Sequence, residues 1–585
     1  RTYEISLDIN ASDSYKVNCI QNIDGDIWIG AGSNLLSRLD ERTEAIDNYS
    51  GSAFNFGAVH CLLKYTDKEL LVGTDNGLYL FDQNTNTFQR ADNPADPRSL
   101  SDQTINGMMW DAEGALWVLT NLGGINYMSK QTKRFDYYSP AYLSGVPGAG
   151  EVVAPFCENK DGNIWIGTQS GLYFFNVATR ELSPYAIGTK NQKYDIRSLM
   201  LDGDYLWIGT YAGGIRVINL RTGAVKAYTH SRGIPNTICS NDVLCIYKGR
   251  KGEIYVGTSW GLCRYDAARD NFMTITSVGS MVSVVDIYED MYNHLWIATS
   301  NSGVFSYNTM NAHWKHYQHE REDSTTITSN SVITLFEDTK GTMWFGTNGG
   351  GLCSFDAKEK RFIEFDPHNT LLPNKVIYAI EQDQGGDFWV SSNAGIFKIN
   401  PVTKDHFRQF TINDGLQGNQ FIARSSLKSS EGKLYFGGIN GFNVFQPEQF
   451  VDNKYIPPVY VTDIRLPYQT DEQEVKKLLQ LDKPLYMADK VTLSYENNSF
   501  SIRFVALSFE DPGKNRYSYI LRGVDKEWIL NTDNNMASYT NLPPGEYLFE
   551  VRGSNNDRQW NENTTTLKVV ITPPWWRSTF AYFVY

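Results

Sequence analysis

One short phrase recurs ten times along this chain, and a repeat of that kind fixes an architecture before any other feature is weighed. The clearest copy is Asp161-Gly162-Asn163-Ile164-Trp165-Ile166-Gly167-Thr168-Gln169-Ser170-Gly171-Leu172. Its tryptophan position is filled in turn by Trp28, Val72, Trp117, Trp165, Trp207, Tyr255, Trp296, Trp344, Trp389 and Tyr435. Neighbouring copies lie about 45 residues apart, the period of four-stranded propeller blades. No copy can bury its apolar face alone, so the copies must pack side by side. The chain is mostly scaffold, and function is to be sought on its faces and ends.

Each copy divides into four short strands. The first is apolar and β-branched (Val332-Ile333-Thr334-Leu335-Phe336), and an Asp/Gly turn follows it (Asp338-Thr339-Lys340-Gly341). The second carries the aromatic (Met343-Trp344-Phe345-Gly346), the third starts at Gly351-Leu352, and the fourth is Arg361-Phe362-Ile363-Glu364-Phe365. Alternating apolar residues bounded by Gly, Asn and Asp are strand and turn signals. The repeated aromatic is predicted to fill the space between blades.

Propellers close with four to eight blades as a rule, so ten copies exceed one ring. Counting back from the last copy gives seven blades over residues 148–447 and three blades over 1–147, the C-terminal part of a first propeller. A single ten-bladed ring is the alternative. The repeat stops at Pro447, and a connector covers 448–458. Longer strands then alternate in 459–573, among them Phe500-Ser501-Ile502-Arg503-Phe504-Val505-Ala506 and Phe549-Glu550-Val551-Arg552. Roughly seven strands in such a length predict an immunoglobulin-like β-sandwich. The expected class is all-β throughout. Pro573-Pro574-Trp575-Trp576-Arg577 before an apolar run resembles the interfacial belt of a membrane span, so 574–585 reads as the start of a truncated transmembrane helix.

Composition excludes some functions. The net charge is -13 and no Lys/Arg run occurs, which argues against a nucleic-acid partner. The seven cysteines show no close paired spacing, so neither a disulfide framework nor a zinc site is predicted. Cys19, Cys61 and Cys245 share one repeat position and Cys263 and Cys353 another, which reads as small core residues.

Together these segments resemble the regulator-propeller repeats and the following three-tyrosine domain (Tyr519, Tyr539, Tyr547) of hybrid two-component sensors of Bacteroides-type bacteria. The resemblance covers nearly the whole chain. It implies the periplasmic region of an inner-membrane histidine kinase, with two seven-bladed propellers, a three-tyrosine domain and then a membrane helix. It further implies an oligosaccharide ligand, a homodimer through the C-terminal sandwich, membrane attachment through a helix beginning near Trp575, and control of polysaccharide-utilisation genes. The chain departs from that pattern in its incomplete first propeller and in carrying no kinase region.

No catalytic residue, cofactor or metal is predicted. The Asp…Gly…Trp turn resembles the aspartate box of sialidases, but Asp in such a turn bonds its own backbone. The pairs Glu289-Asp290 and Glu337-Asp338 recur at one turn position, which points to folding. A glycosidase needs two carboxylates about 5–10 Å apart on one sugar, and no unique acid stands out. A sialidase-like site wants several arginines on the first strands, and Arg197 is the evident one. His313, His316 and His319 fall on a fourth strand, where odd spacing sends side chains to opposite faces. The candidate site is instead the ring of turns between second and third strands. Gln169, Tyr211, Trp260, Asn301, Asn348 and Asn393 vary there on a constant scaffold. Tyr211 and Trp260 could stack on sugar rings, and the amides could bond hydroxyls. A secreted glycan-active propeller enzyme and a non-catalytic surface or secretion scaffold are the competing readings.

Overall fold

The computed structural model describes residues 16–574 and 576, apart from 33, 41, 51–54, 95–98, 130–134, 141–151, 189–192, 280, 367–371, 373, 405–406, 451–452, 468–476, 480, 482 and 532–533. The expected start of a membrane helix therefore falls largely outside the described residues. Among those described, no helix is long and apolar enough to cross a membrane. The chain forms two compact units, one made of residues 133–451 and the other of 1–132 together with 452–585.

Residues 133–451 form a closed ring of seven four-stranded antiparallel sheets. Their inner strands are Val153–Glu158, Ile196–Asp202, Val243–Lys248, Val284–Glu289, Val332–Glu337, Ala379–Gln382 and Phe421–Lys428, here blades 1 to 7. Each inner strand neighbours the next, and that of blade 7 neighbours that of blade 1. Seven blades complete this circle, so a single ten-bladed ring is excluded. Blade 7 takes its outermost strand from the start of the unit: Asp136–Tyr138 pairs antiparallel with Phe442, Asn443 and Val444.

The recurring turn residues bind the ring. In blades 4, 5 and 6, Asp290, Asp338 and Asp383 use Oδ1 to accept backbone N–H groups of their own turn, and Oδ2 to accept the indole N–H of Trp296, Trp344 and Trp389 at 2.8, 3.0 and 3.0 Å. The residue before each reaches the preceding blade. Glu289 accepts the Arg250 N–H at 2.7 Å, Glu337 that of Met291 at 2.8 Å, and Gln382 that of Thr339 at 2.9 Å. Glu158 accepts the N–H and the hydroxyl of Ser430, at 2.8 and 2.6 Å, and so links blade 1 to blade 7. The tryptophans lie against the next sheet, as in Trp344–Phe388 (5.0 Å) and Trp389–Phe445 (4.7 Å). Such pairs contribute roughly 0.5–1.5 kcal/mol each beyond area burial.

A third stitch runs along the inner strands. Ser198 accepts the Ile246 N–H, Cys245 donates to the Val284 carbonyl, Asp286 accepts the Leu335 N–H, and Ser425 donates to the Val153 carbonyl. Cys245 is thus a small core residue that also bonds across blades. The expectation for Cys263 needs correction: it is disulfide-bonded to Cys239, with Cα atoms 6.4 Å apart. Equivalent repeat positions lie in different blades, whereas this pair joins the lead-in of blade 3 to its own third strand, Gly261–Asp266.

The other unit holds three N-terminal sheets and a sandwich. The first two sheets have four strands each and the third has three, Ile105–Trp110, Leu116–Thr120 and Ile125–Met128. The sandwich packs a three-stranded sheet (Val459–Arg465, Phe500–Ala506, Met536–Tyr539) on a five-stranded one that includes Tyr517–Arg522, Gly545–Gly553 and Thr565–Thr572. Alternation buries Phe500, Ile502, Phe504 and Ala506 against Leu521, Phe549, Val551 and Val569. Tyr539 donates to Asp525 at 2.7 Å, and Tyr547 to the Pro543 carbonyl at 2.8 Å. Within this unit the third blade meets the sandwich. Glu113 accepts the Ser508 hydroxyl and the Phe509 N–H, both at 2.6 Å, and Trp117 packs edge-on to Phe509.

Candidate functional site

The Gly-Thr-x-x-Gly turns build one face of the seven-bladed ring. Thr168, Thr210, Thr258, Thr299 and Thr347 each donate a hydroxyl to the carbonyl of the glycine that opens the third strand, at 2.7–3.0 Å. The turn then bonds to the lead-in of its own first strand: Gln169, Tyr211, Ser259, Ser300 and Asn348 donate backbone N–H groups to Val152, Asp195, Asp242, Ser283 and Ser331. Gly214, Gly303 and Gly395 donate across to the next blade, at Asn241, Asn330 and Asn419. At these glycines, with φ of +73°, +72° and +99°, a Cβ would strike the carbonyl oxygens of Tyr228, Tyr317 and Phe410. Turns and strand lead-ins therefore meet on one face.

Gln169, Tyr211, Trp260, Asn301, Asn348 and Asn393 are all exposed on these turns. Trp260 and Tyr211 stand out, at 60% and 56% exposure. Tyr211 lies under the Arg197 guanidinium, 5.7 Å from its ring centre. Arg197 Nη2 is held by Asp195 Oδ2 at 2.7 Å, while Arg197 Nε is buried without a partner among the described residues. The other five are joined to one another by no described hydrogen bond or ring contact, so the turn face is a ring of separate side chains.

The opposite face, made of the first–second and third–fourth turns, carries grooves between blades. One of about 400 Å³ lies between blades 4 and 5 and is lined by His294, Trp296, His313, Lys315, Tyr317 and Phe355. A second, of about 450 Å³, lies between blades 1 and 2 beside Asn159, Trp165 and Tyr185. The three histidines diverge: His313 and His316 point apart on the fourth strand, His313–Tyr317, while His319 lies beyond its end and not on it. His313 enters that groove, His316 contacts the Ser302 carbonyl and stacks on Phe305, and His319 contacts the Ile327 carbonyl. The repeated acids are occupied by the turn itself, since both oxygens of Asp290, Asp338 and Asp383 hold groups of the fold.

Sequence reasoning missed Arg424. It sits at φ +58° within an enlarged bulge of the blade 7 inner strand, where the register jumps from Phe421↔Gly438 to Ser426↔Phe436. Its charge acts on Asp286 and Cys245, which belong to blades 4 and 3. The available signal was an arginine in a stretch that breaks the Val-x-Cys spacing of the other blades.

Comparison with known proteins adds the following. The Y_Y_Y domain matches residues 508–572, and the two component regulator propeller matches 326–349. Over 484 residues the chain is 28% identical to Histidine kinase P4 of Formosa agariphila, covering 80% of this chain and 34% of that protein. The chain thus spans about a third of the length of that relative. Among solved structures, the extracellular domain of the hybrid two component system BT4673 from B. thetaiotaomicron is 23% identical, with 98% of this chain and 77% of that one covered and a TM-score of 0.44. That of BT3049 from the same organism is 21% identical, with 96% and 98% covered and a TM-score of 0.37. Segments of the chain thus match the two component regulator propeller and the Y_Y_Y domain, and the chain is similar in sequence to part of a histidine kinase.

Proposed function

We propose that this chain is the ligand-sensing region of a membrane histidine kinase, that it binds an oligosaccharide on the turn face of the seven-bladed ring, and that occupancy there controls genes for polysaccharide use. The observation that carries the reading is the contrast on that face. The Gly-Thr-x-x-Gly framework is held constant by its threonine and glycine bonds, while the residues between them differ and include two largely exposed aromatic rings. An exposed Trp and Tyr offer flat apolar surfaces to sugar rings, and Gln169, Asn301, Asn348 and Asn393 offer amides to hydroxyls. In this reading the segment performs no chemistry. It lies on the periplasmic side of the inner membrane, dimerises through the sandwich and attaches through a helix near Trp575. A ligand moves the signalling equilibrium only by its differential affinity for the two states.

Titration calorimetry of the chain against defined oligosaccharides tests the reading. At least one is expected to bind, with Trp260→Ala and Tyr211→Ala each weakening it tenfold or more and leaving the unfolding midpoint unchanged. Binding that ignores both substitutions would move the site elsewhere, and turnover of the sugar would favour the enzyme reading.

A further inference from the structure

The pairing register skips one residue of the inner strand in blades 2 to 5, two in blade 1 and four in blade 7, and one residue at a shared place in each blade lines the axis of the ring. In blades 2, 3, 4 and 5 the register skips Arg197, Leu244, Val285 and Ile333. Pro155 and Ser425 meet Gly167 and Gly437 as Ser198 meets Gly209, so Ala154 and Arg424 hold the place of Arg197 in blades 1 and 7. Tyr378 fills it in blade 6, and the Arg424 N–H donates to its carbonyl. Each of the seven is half-exposed beside buried neighbours, except Ala154, which is 9% exposed. A bulge residue on the innermost strand has only the axial channel to enter.

The composition of this ring is uneven. Five members are apolar or aromatic, and the two cations, Arg197 and Arg424, stand on either side of blade 1, where the ring has its smallest member, Ala154. The Arg424 guanidinium makes no hydrogen bond or ion pair among the described residues, and its charge acts on Asp286 and Cys245. Arg197 is ion-paired to Asp195 through Nη2, and its Nε is buried without a partner among the described residues. Nearby carboxylates are accounted for. Asp195 holds Arg197 Nη2, Asp242 accepts the Ala212 N–H, and Asp286 accepts the N–H groups of Ile287 and Leu335. Tyr211 stacks on Arg197 at the rim. Two guanidiniums on the axis, Arg424 with no described hydrogen bond and Arg197 bonded through Nη2 alone, suit a planar or tetrahedral oxyanion, because their forked N–H groups match its oxygens.

We propose that the axial mouth between Arg197 and Arg424, over Ala154, binds the carboxylate or sulfate group of an acidic oligosaccharide whose neighbouring ring rests on Tyr211. This rests on the sugar-sensing reading above and narrows its ligand class. A neutral sugar would leave the Arg424 guanidinium there without a hydrogen-bonded counter-charge, whereas Arg197 keeps Asp195.

Calorimetry of the chain with trigalacturonate, a sulfated galactose trisaccharide and neutral maltotriose tests it, and the first two arms separate carboxylate from sulfate. An acidic trisaccharide is expected to bind at least tenfold tighter than maltotriose and to weaken as salt is raised. Arg424→Gln and Arg197→Gln should each lose tenfold or more, with Arg424→Lys recovering part. Ala154→Leu should lose binding with no change of charge, and unchanged unfolding midpoints would exclude misfolding. Acidic binding that stays within twofold in Arg424→Gln and Ala154→Leu overturns the inference and leaves the sensing reading standing, as does binding of maltotriose alone. Failure of every sugar to bind overturns both.

Discussion

Blade 1 carries a defect that the other blades identify. Where blades 4, 5 and 6 have aspartate, blade 1 has Asn159, which still accepts the Asp161 and Asn163 N–H groups through Oδ1. Its other atom is an amide nitrogen, which cannot accept, and Trp165 Nε1 is left buried with no partner. A buried unsatisfied donor costs about 1–3 kcal/mol. Asn159→Asp supplies the missing oxygen. It also replaces the 3.5 Å contact from Asn159 Nδ2 to Asp161 with a like-charge pair at the surface, a loss of about 0.5 kcal/mol. The net expectation is a gain of about 1 kcal/mol, or about 2 °C for a unit of this size. The reverse change, Asp383→Asn, orphans the indole N–H of Trp389, which is 0% exposed, and should cost about 1–3 kcal/mol. Thermal and urea unfolding of the whole chain, followed by near-ultraviolet circular dichroism, reads both. The reasoning is refuted if Asn159→Asp leaves the midpoint unmoved while Asp383→Asn lowers it, because the two changes are one hydrogen bond made and broken.

Other outcomes follow from the same structure. Burial pushes the Glu381 carboxyl up to about 7, against Ser426 and Lys428, which lower it. The folded chain then binds the proton more tightly than the unfolded one, so stability should fall as pH rises from about 4.5 to about 7 and level off above; Glu381→Gln should flatten that slope in urea midpoints measured across the range. Ser425→Ala leaves the Val153 carbonyl without its donor at the junction of blades 7 and 1, and should cost about 1–2 kcal/mol in the same denaturation assay. In the sandwich, Tyr539→Phe removes a bond to Asp525 and should cost about 1–2 kcal/mol, whereas Tyr547→Phe, whose hydroxyl meets the Pro543 carbonyl at an exposed turn, should cost under about 0.5 kcal/mol because water replaces it. Equal losses from the two would contradict that distinction.

The repeat made the ring legible because its period is carried by residues with fixed duties. All ten aromatic or Val positions, from Trp28 to Tyr435, fall on the second strand of a sheet. The paired acids at 289–290 and 337–338 are used as turn and clamp, as their recurrence implied. What stayed hidden has no periodic signal. Asp136–Tyr138 reads as an unremarkable tail, yet it is the outer strand of a blade formed more than 300 residues later, and only ring closure requires it. Arg424 was obscured because its bulge is wider than those of blades 2 to 5, so alignment by Val-x-Cys spacing passes over it. Cys239 and Cys263 meet through a fold within one blade, which comparison between blades cannot detect. The exposed turn residues follow from variation on a constant frame, but variation gives no distances, and the Arg197 guanidinium over Tyr211 is visible in space alone.

The three-residue pairing of 136–138 with 442–444 places the first and last strands of the ring side by side in one sheet. The propeller is therefore spliced into the polypeptide like a bead threaded through a single hole: the chain arrives and departs at the same seam. A different ring could be exchanged at that seam with little change in the span between the flanking segments. Tension applied to those segments would be felt first by that short ladder, which would have to part before any other blade is disturbed.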